Sequence, residues 1–371
     1  MRPRALRGTA AAVTAAVALF ATACSSDGDG GGGGDTAAGA GSTPSAGAGA
    51  AAFPVKVADC AGRETTVEQA PKRIVTSNAA GLEMLLQLGV GDRIIGTGFP
   101  PGKGGLPAAL ADQGAKVPVL GTTVIPKEKL LGSGADLYVD TFGPMPAMGA
   151  AGAGATEEEM KAVGIQHVVL LSTACATGPK AVKGPRTDLT GVEEDIRRLG
   201  AVTGTAARAE ELVGAMEKQI TDVKNATSGV PEERRPGYFL FDFDAGTKQP
   251  MAVCAKQVAN AVITLAGARN VFADCDADFR PVSWEDVVAK NPDWIQLAVR
   301  NRGSEEATRK AFDEAEAFLK GFPATQGLKA VQEGRFLRIG SEVTTIAGTR
   351  TADTVRRIAA TVHPTLVQNG R

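Results

Sequence analysis

Histidine is almost missing from this chain: only His167 and His363 occur among 371 residues. Two histidines cannot build a three-histidine zinc or manganese site. They also leave little scope for the usual general base. Aromatic residues are scarce, at 5% with two Trp and two Tyr, which limits any stacking surface. An excess of charge of either sign is missing too. The formal net charge is −1, so a nucleic-acid partner is not indicated. No Cys-x-x-Cys spacing occurs. There is no Gly-x-Ser-x-Gly elbow, no Walker loop and no dinucleotide fingerprint after a strand. These absences remove the enzyme classes that depend on such motifs, and the chain reads as a non-enzyme with no cofactor of its own.

Long hydrophobic runs are absent as well. Residues 10–23 form an apolar run of about fourteen residues, short for a membrane span. Arg2, Arg4 and Arg7 precede it, and Leu19-Phe20-Ala21-Thr22-Ala23-Cys24 ends it. Residues 1–23 therefore read as an export signal. Small residues before a Cys resemble a bacterial lipobox, in which Cys24 becomes a lipid-bearing N-terminus. Ala21 stands where that motif usually has Leu, and an ordinary signal peptide cleaved near Ala23 is the alternative. Residues 24–52 are almost all Gly, Ala, Ser, Asp and Thr, the composition of a flexible tether. The expected location is the outer face of the cytoplasmic membrane, reached through lipid.

The rest is organised around residues 191–226. Val192, Ile196 and Leu199 recur at helical spacing. After Gly200 and Gly204 the pattern resumes with Ala209, Leu212, Val213, Met216, Ile220 and Val223. This is a short helix, a glycine break and a long helix of about 33 Å. Similar windows flank it. Glu128 is followed by Leu130-Leu131 and, eight positions on, by Asp136. Glu285 is followed by Val287-Val288 and, eight positions on, by Asp293. Strands and helices alternate on both sides, which implies parallel sheets with covered faces. The expected fold is α/β, two Rossmann-like lobes joined by a long backbone helix. Residues 53–188 form the first lobe, 189–227 the link and 228–371 the second lobe.

Cys60, Cys175, Cys254 and Cys275 allow three pairings, and export favours disulfides. One bridge per lobe, Cys60–Cys175 and Cys254–Cys275, is the natural arrangement; four free thiols is the alternative. Ligands of open α/β sheets bind beyond the carboxyl ends of the strands. That rule selects Ser77, Asn78, Phe99, Thr141 and Phe142 in the first lobe. In the second it selects Phe243, Asp244, Arg300, Arg302 and Arg350. The arginines, with Lys248, suit carboxylates and oxygen-rich chelates. Asp242 and Asp244 balance them. The phenylalanines suit an apolar or planar face. Trp284 and His167 read as packing residues. An axial haem ligand would have to come from Met145, Met148 or His167. Residues 143–155, rich in Gly, Pro and Met, form a flap at the cleft mouth or a plain loop.

Several stretches carry a family resemblance: Lys72-Arg73-Ile74-Val75-Thr76-Ser77-Asn78, Leu82-Glu83-Met84-Leu85-Leu86-Gln87-Leu88-Gly89, Leu265-Ala266-Gly267-Ala268-Arg269-Asn270-Val271-Phe272 and Ala330-Val331-Gln332-Glu333-Gly334-Arg335-Phe336. From Val55 onward the chain resembles the substrate-binding lipoproteins of ABC importers for ferric siderophores, haem and cobalamin, the periplasmic binding proteins of class III. The resemblance implies a monomer that takes an iron–siderophore-type chelate in the inter-lobe cleft, with cobalamin or haem as alternatives. The charge balance leans towards a hydroxamate. It further implies docking on a permease dimer through one glutamate per lobe. Glu128 and Glu285 match those positions, with Glu83 a rival in the first lobe. A surface enzyme or a structural lipoprotein is the reading from another class.

Overall fold

The structure, a computed structural model, describes residues 53–143, 154–175 and 183–368. The export signal, Cys24, the tether and Met145 and Met148 lie outside the described residues. Among the described residues no helix is long and apolar enough to cross a membrane.

The chain enters through an antiparallel ribbon, β1 (Val55–Ala58) and β2 (Glu64–Val67). Asp59 shapes its turn by accepting from the Ala61 and Arg63 amides. Four parallel strands follow: β3 (Ile74–Thr76), β4 (Ile94–Thr97), β5 (Leu137–Asp140) and β6 (Gln166–Val169), ordered β4-β3-β5-β6. The second lobe has β7 (Gly237–Asp242), a two-stranded arm of β8 (Met251–Val253) and β10 (Phe279–Pro281), β9 (Arg269–Asn270), β11 (Trp294–Ala298) and β12 (Phe336–Arg338). Its parallel sheet is ordered β12-β11-β7-β9. Numbered within each lobe, both sheets run second, first, third, fourth. The sequence repeat is therefore a repeat of topology.

The repeated aspartate has a structural role in both lobes. Asp136, just before β5, accepts the Lys72 and Arg73 amides at 2.8 and 3.0 Å, fixing the entry to β3. Asp293, just before β11, accepts the Gly237 amide at 2.8 Å at the entry to β7. Each aspartate ties the start of a lobe's third strand to the start of its first.

The link is two helices, Thr190–Thr203 and Ala206–Thr227. Gly204 ends the first in the left-handed region at φ +78°, a conformation a glycine adopts without steric cost. The helices pack on one another so closely that a side chain at Gly200 would meet Ala209 at 2.4 Å. Arg197 reaches both Glu210 and Glu217 across the pair.

This spine is the centre of one core. A single buried cluster runs from Ile74, Leu82 and Leu137 through Leu199, Val213 and Ile220 to Tyr238, Val262 and Val355. The second lobe's outer face has its own aromatic core, in which Phe241 and Phe318 lie 5.3 and 5.9 Å from Trp284. Trp284 is buried and donates from Nε1 to Thr247 O at 2.8 Å, as a packing residue should. Disulfides join Cys60 to Cys175 and Cys254 to Cys275, one in each lobe.

Candidate ligand cleft and docking face

In both sheets the topological switch falls between the lobe's first and third strands, and open α/β sheets bind ligands outside the carboxyl ends at such a point. In the first lobe these ends carry Ser77, Asn78 and Thr141, all buried. Thr141 N donates to Ser77 Oγ at 3.0 Å, and the two hydroxyls lie 3.1 Å apart. Asn78 Nδ2 donates to Thr141 Oγ1. Asn78 Oδ1 accepts from the Ala80 and Gly81 amides, capping the helix Ala79–Gln87. These three residues thus satisfy one another and form a stiff floor.

Phe99 and Phe142 leave the neighbouring strand ends half-buried. Their rings meet edge to face at 5.8 Å. Phe99 has φ +32°, costly for a bulky side chain and typical of residues held in place at ligand sites. Two backbone bonds hold it: Phe99 N to Thr123 O and Ala79 N to Phe99 O, both 3.1 Å.

In the second lobe Asp244 organises the loops. It accepts the Arg300 amide at 2.6 Å and forms an ion pair with Arg302. Burial raises the carboxyl pKa of Asp242, and Arg300 partly offsets this. The guanidinium of Arg300 is exposed and has no carboxylate partner among the described residues. Phe243 turns inward instead, with Phe241 at 6.1 Å and Phe318 at 6.3 Å.

Arg350 spans the lobes. Its Nε lies 2.7 Å from Glu83 Oε2, and its Nη2 donates to Gly105 O at 2.7 Å. Glu83 is 3% exposed. Burial raises its pKa to about 7 despite Arg350. A buried, paired carboxylate cannot serve as a docking residue, so Glu83 drops out as rival to Glu128. A second tie joins Asn301 Nδ2 to Lys103 O at 3.4 Å. The approach there is close: a side chain at Gly102 would meet Asn301 at 1.8 Å and Gly303 at 3.0 Å. Beside this tie a recess of 250 Å³ is lined by Lys103, Asn301, Glu305, Arg309 and Phe312.

Glu128 and Glu285 are exposed and occupy equivalent places. Each sits in the first turn of the helix that precedes its lobe's third strand: Lys127–Leu131 before β5 and Trp284–Lys290 before β11. Neither has a cationic partner among the described residues. The His167 side chain is 8% exposed and is flanked by Glu157, 2.6 Å from Nδ1, and Asp140, 3.4 Å from Nε2. Burial would lower its pKa, but the two carboxylates outweigh it and raise it to about 9. Among the described residues no cluster of histidine, cysteine and carboxylates could hold a metal ion.

A profile of the periplasmic binding protein family matches residues 74–343. The chain belongs to that family. Among periplasmic binding proteins and their relatives, it is similar to the uncharacterized ABC transporter substrate-binding lipoprotein YvrC of Bacillus subtilis. The two are 20% identical over 313 residues, covering 84% of this chain and 86% of YvrC. A periplasmic binding protein from Veillonella parvula matches with a TM-score of 0.69 and 26% identity, over 81% of this chain and 94% of that one. A structure from Saccharomonospora viridis, described as an ABC-type Fe3+-hydroxamate transport system, matches with a TM-score of 0.66 and 24% identity. It covers 84% of this chain and all (100%) of the other.

Sequence reasoning placed the loops at the strand ends but not the contacts between them. Asn301, Gly102 and the pairing of Arg350 with Glu83 carried no local signal. The partners of each pair lie roughly two hundred or more positions apart, and only the folded topology joins them.

Proposed function

We propose that this periplasmic binding protein is the extracytoplasmic substrate-binding lipoprotein of an ABC importer and captures an iron–siderophore-type chelate between its lobes. The observation that carries the reading is the pairing of two mirrored loop sets at the switch points. One offers the aromatic edges of Phe99 and Phe142, the other the uncommitted guanidinium of Arg300. A ferric chelate presents an apolar periphery and an oxygen-rich shell, and these groups match both. The likeness to YvrC, an ABC transporter substrate-binding lipoprotein, supports the importer role, and the likeness to the Saccharomonospora Fe3+-hydroxamate transport protein supports the hydroxamate class. Ser77, Asn78 and Thr141 support the site from beneath, and Asp244 aims the Arg300 loop. In this reading the chain acts as a monomer, and the permease dimer is its partner.

A thermal-shift panel on the full chain tests the ligand class. Ferrioxamine, ferrichrome, a ferric catecholate, ferric citrate, haem and cobalamin are added in turn. A true ligand at 100 times its dissociation constant adds about 2.7 kcal/mol. Stabilisation by a ferric hydroxamate, with the metal-free form weaker, is the expected result. A shift with haem or cobalamin alone moves the substrate, and no shift at all removes the chelate reading. Anchoring through Cys24 has its own measurement: Cys24→Ala is expected in the soluble fraction, and unchanged membrane partitioning would refute the lipid anchor.

A further inference from the structure

The opposite end of the second lobe's sheet holds a feature that the cleft does not use. Parallel strands begin together, and four arginines gather where these begin. Arg234 and Arg235 lie just ahead of β7, with Pro236 between, Arg269 opens β9 beside it, and Arg335 immediately precedes β12. They line a pocket of 510 Å³ whose wall includes Trp294, the first residue of β11. Arg335 lies over the Trp294 ring, 5.7 Å from its centroid.

The local charge is not neutralised. The lining sets two carboxylates, Glu233 and Asp293, against the four guanidiniums. Asp293 is already held by Lys329 at 2.7 Å and by the Gly237 amide. Arg335 is paired with Glu333, 2.6 Å away. Among the described residues Arg234, Arg235 and Arg269 have no carboxylate partner. The Nε of Arg235 is buried with no acceptor among the described residues. A buried donor left unpaired is costly, and a cluster of like charges adds repulsion. A bound oxyanion relieves both. Guanidiniums present forked donors that fit tetrahedral oxyanions bidentately, and a pocket of this size admits more than a single carboxylate.

We propose that this pocket is a second ligand site, specific for a phosphate group, at the end of the sheet remote from the chelate cleft. The phosphate is either that of a free phosphorylated metabolite or that of an anionic lipid headgroup. Arg235 and Arg269 bind it from adjacent strand starts, and Arg335 is held against Trp294 as the third donor.

Calorimetric titration of the full chain with inorganic phosphate and pyrophosphate tests the site. Saturable binding is expected. It should weaken roughly tenfold or more in Arg235→Ala and in Arg269→Ala, the loss of one charged hydrogen-bonding group in each. Arg269 is exposed at a strand start, so its substitution leaves the fold intact even where Arg235→Ala does not. Arg269→Lys should retain part of the binding, because the charge stays and the fork is lost. A second arm compares glycerol phosphate with monomeric short-chain phosphatidylglycerol. Tighter binding of the lipid assigns a headgroup, and equal binding assigns a free phosphate; either supports the site. No saturable binding, or equal binding by wild type and the Arg269→Ala variant, overturns it.

Discussion

His167 shows how one residue can set the alkaline limit of the fold. Its imidazole is stacked on Tyr138, 5.4 Å between centroids, and wedged between Glu157 and Asp140. Its pKa is raised from 6.5 to about 9. The folded state therefore holds the proton more tightly than the unfolded chain. The resulting stability is complete below pH 6.5 and is lost as pH rises through 9. The full effect is on the order of 3 kcal/mol. Glu83 also has a raised pKa, but its contribution fades by about pH 7. The thermal midpoint of the wild type should fall between pH 7 and 9, and that of His167→Gln should fall much less. Parallel pH profiles of the two proteins would contradict the assignment. His167 reads from sequence as a structural residue; the carboxylates around it come from a separate strand and helix, and no local pattern announces them.

Among the elements, the two matched windows carry the fold's logic. The spacing from Glu to Asp reads in the sequence as one motif. The structure divides it into two roles, an exposed carboxylate at a helix start and a tie between strand starts. Removing the tie should cost about 1 to 2 kcal/mol, because charged hydrogen bonds to backbone amides are lost at partly exposed sites. Asp136→Ala and Asp293→Ala should each lower the urea midpoint by that amount with the slope unchanged. A neutral result at both positions would show that the repeat has no structural role. Much of this level was legible in the sequence. The glycine break at Gly204 sits where a local rule puts it, and Thr156 with Glu159 and Ser283 with Asp286 show the spacing of three that a capping box at a helix start requires. The arm of β8 and β10 was not legible. Its strands are three residues each and lie more than twenty positions apart, with a helix between them. Pro281 further weakens the strand signal. The short helices after β6 and β12 escaped for the same reason, since four residues are too few to establish a period.

For the molecule as a whole, the two lobes present one face built twice. Glu128 and Glu285 stand at equivalent points of equivalent folds, which suits a partner made of two like subunits. The double variant Glu128→Ala with Glu285→Ala is expected to bind its ligand as the wild type does and to support little or no uptake in cells. Either single variant should be intermediate. Normal uptake by the double variant would remove the docking role from this pair. The cleft's specificity was the least legible feature. It depends on which groups remain uncommitted after folding, and the sequence does not tell Arg300, without an ion pair among the described residues, from Arg302 and Arg350, both engaged.

The core that runs unbroken through the spine has a consequence for signalling. Hinges need a few residues that can absorb a large change in backbone angle, and a shared core leaves little room for that travel. With little travel, the distance between Glu128 and Glu285, the carboxylates proposed to dock, would be nearly the same in the empty and the loaded protein. A transporter that senses only footprint would then engage both alike, and unloaded copies would compete with loaded ones for the same gate. Discrimination must come from the cargo itself, exposed at the cleft mouth, or from how long each form stays bound. Import rate would then fall when the binder outnumbers its cargo, a form of self-inhibition set by rigidity rather than by any regulatory site.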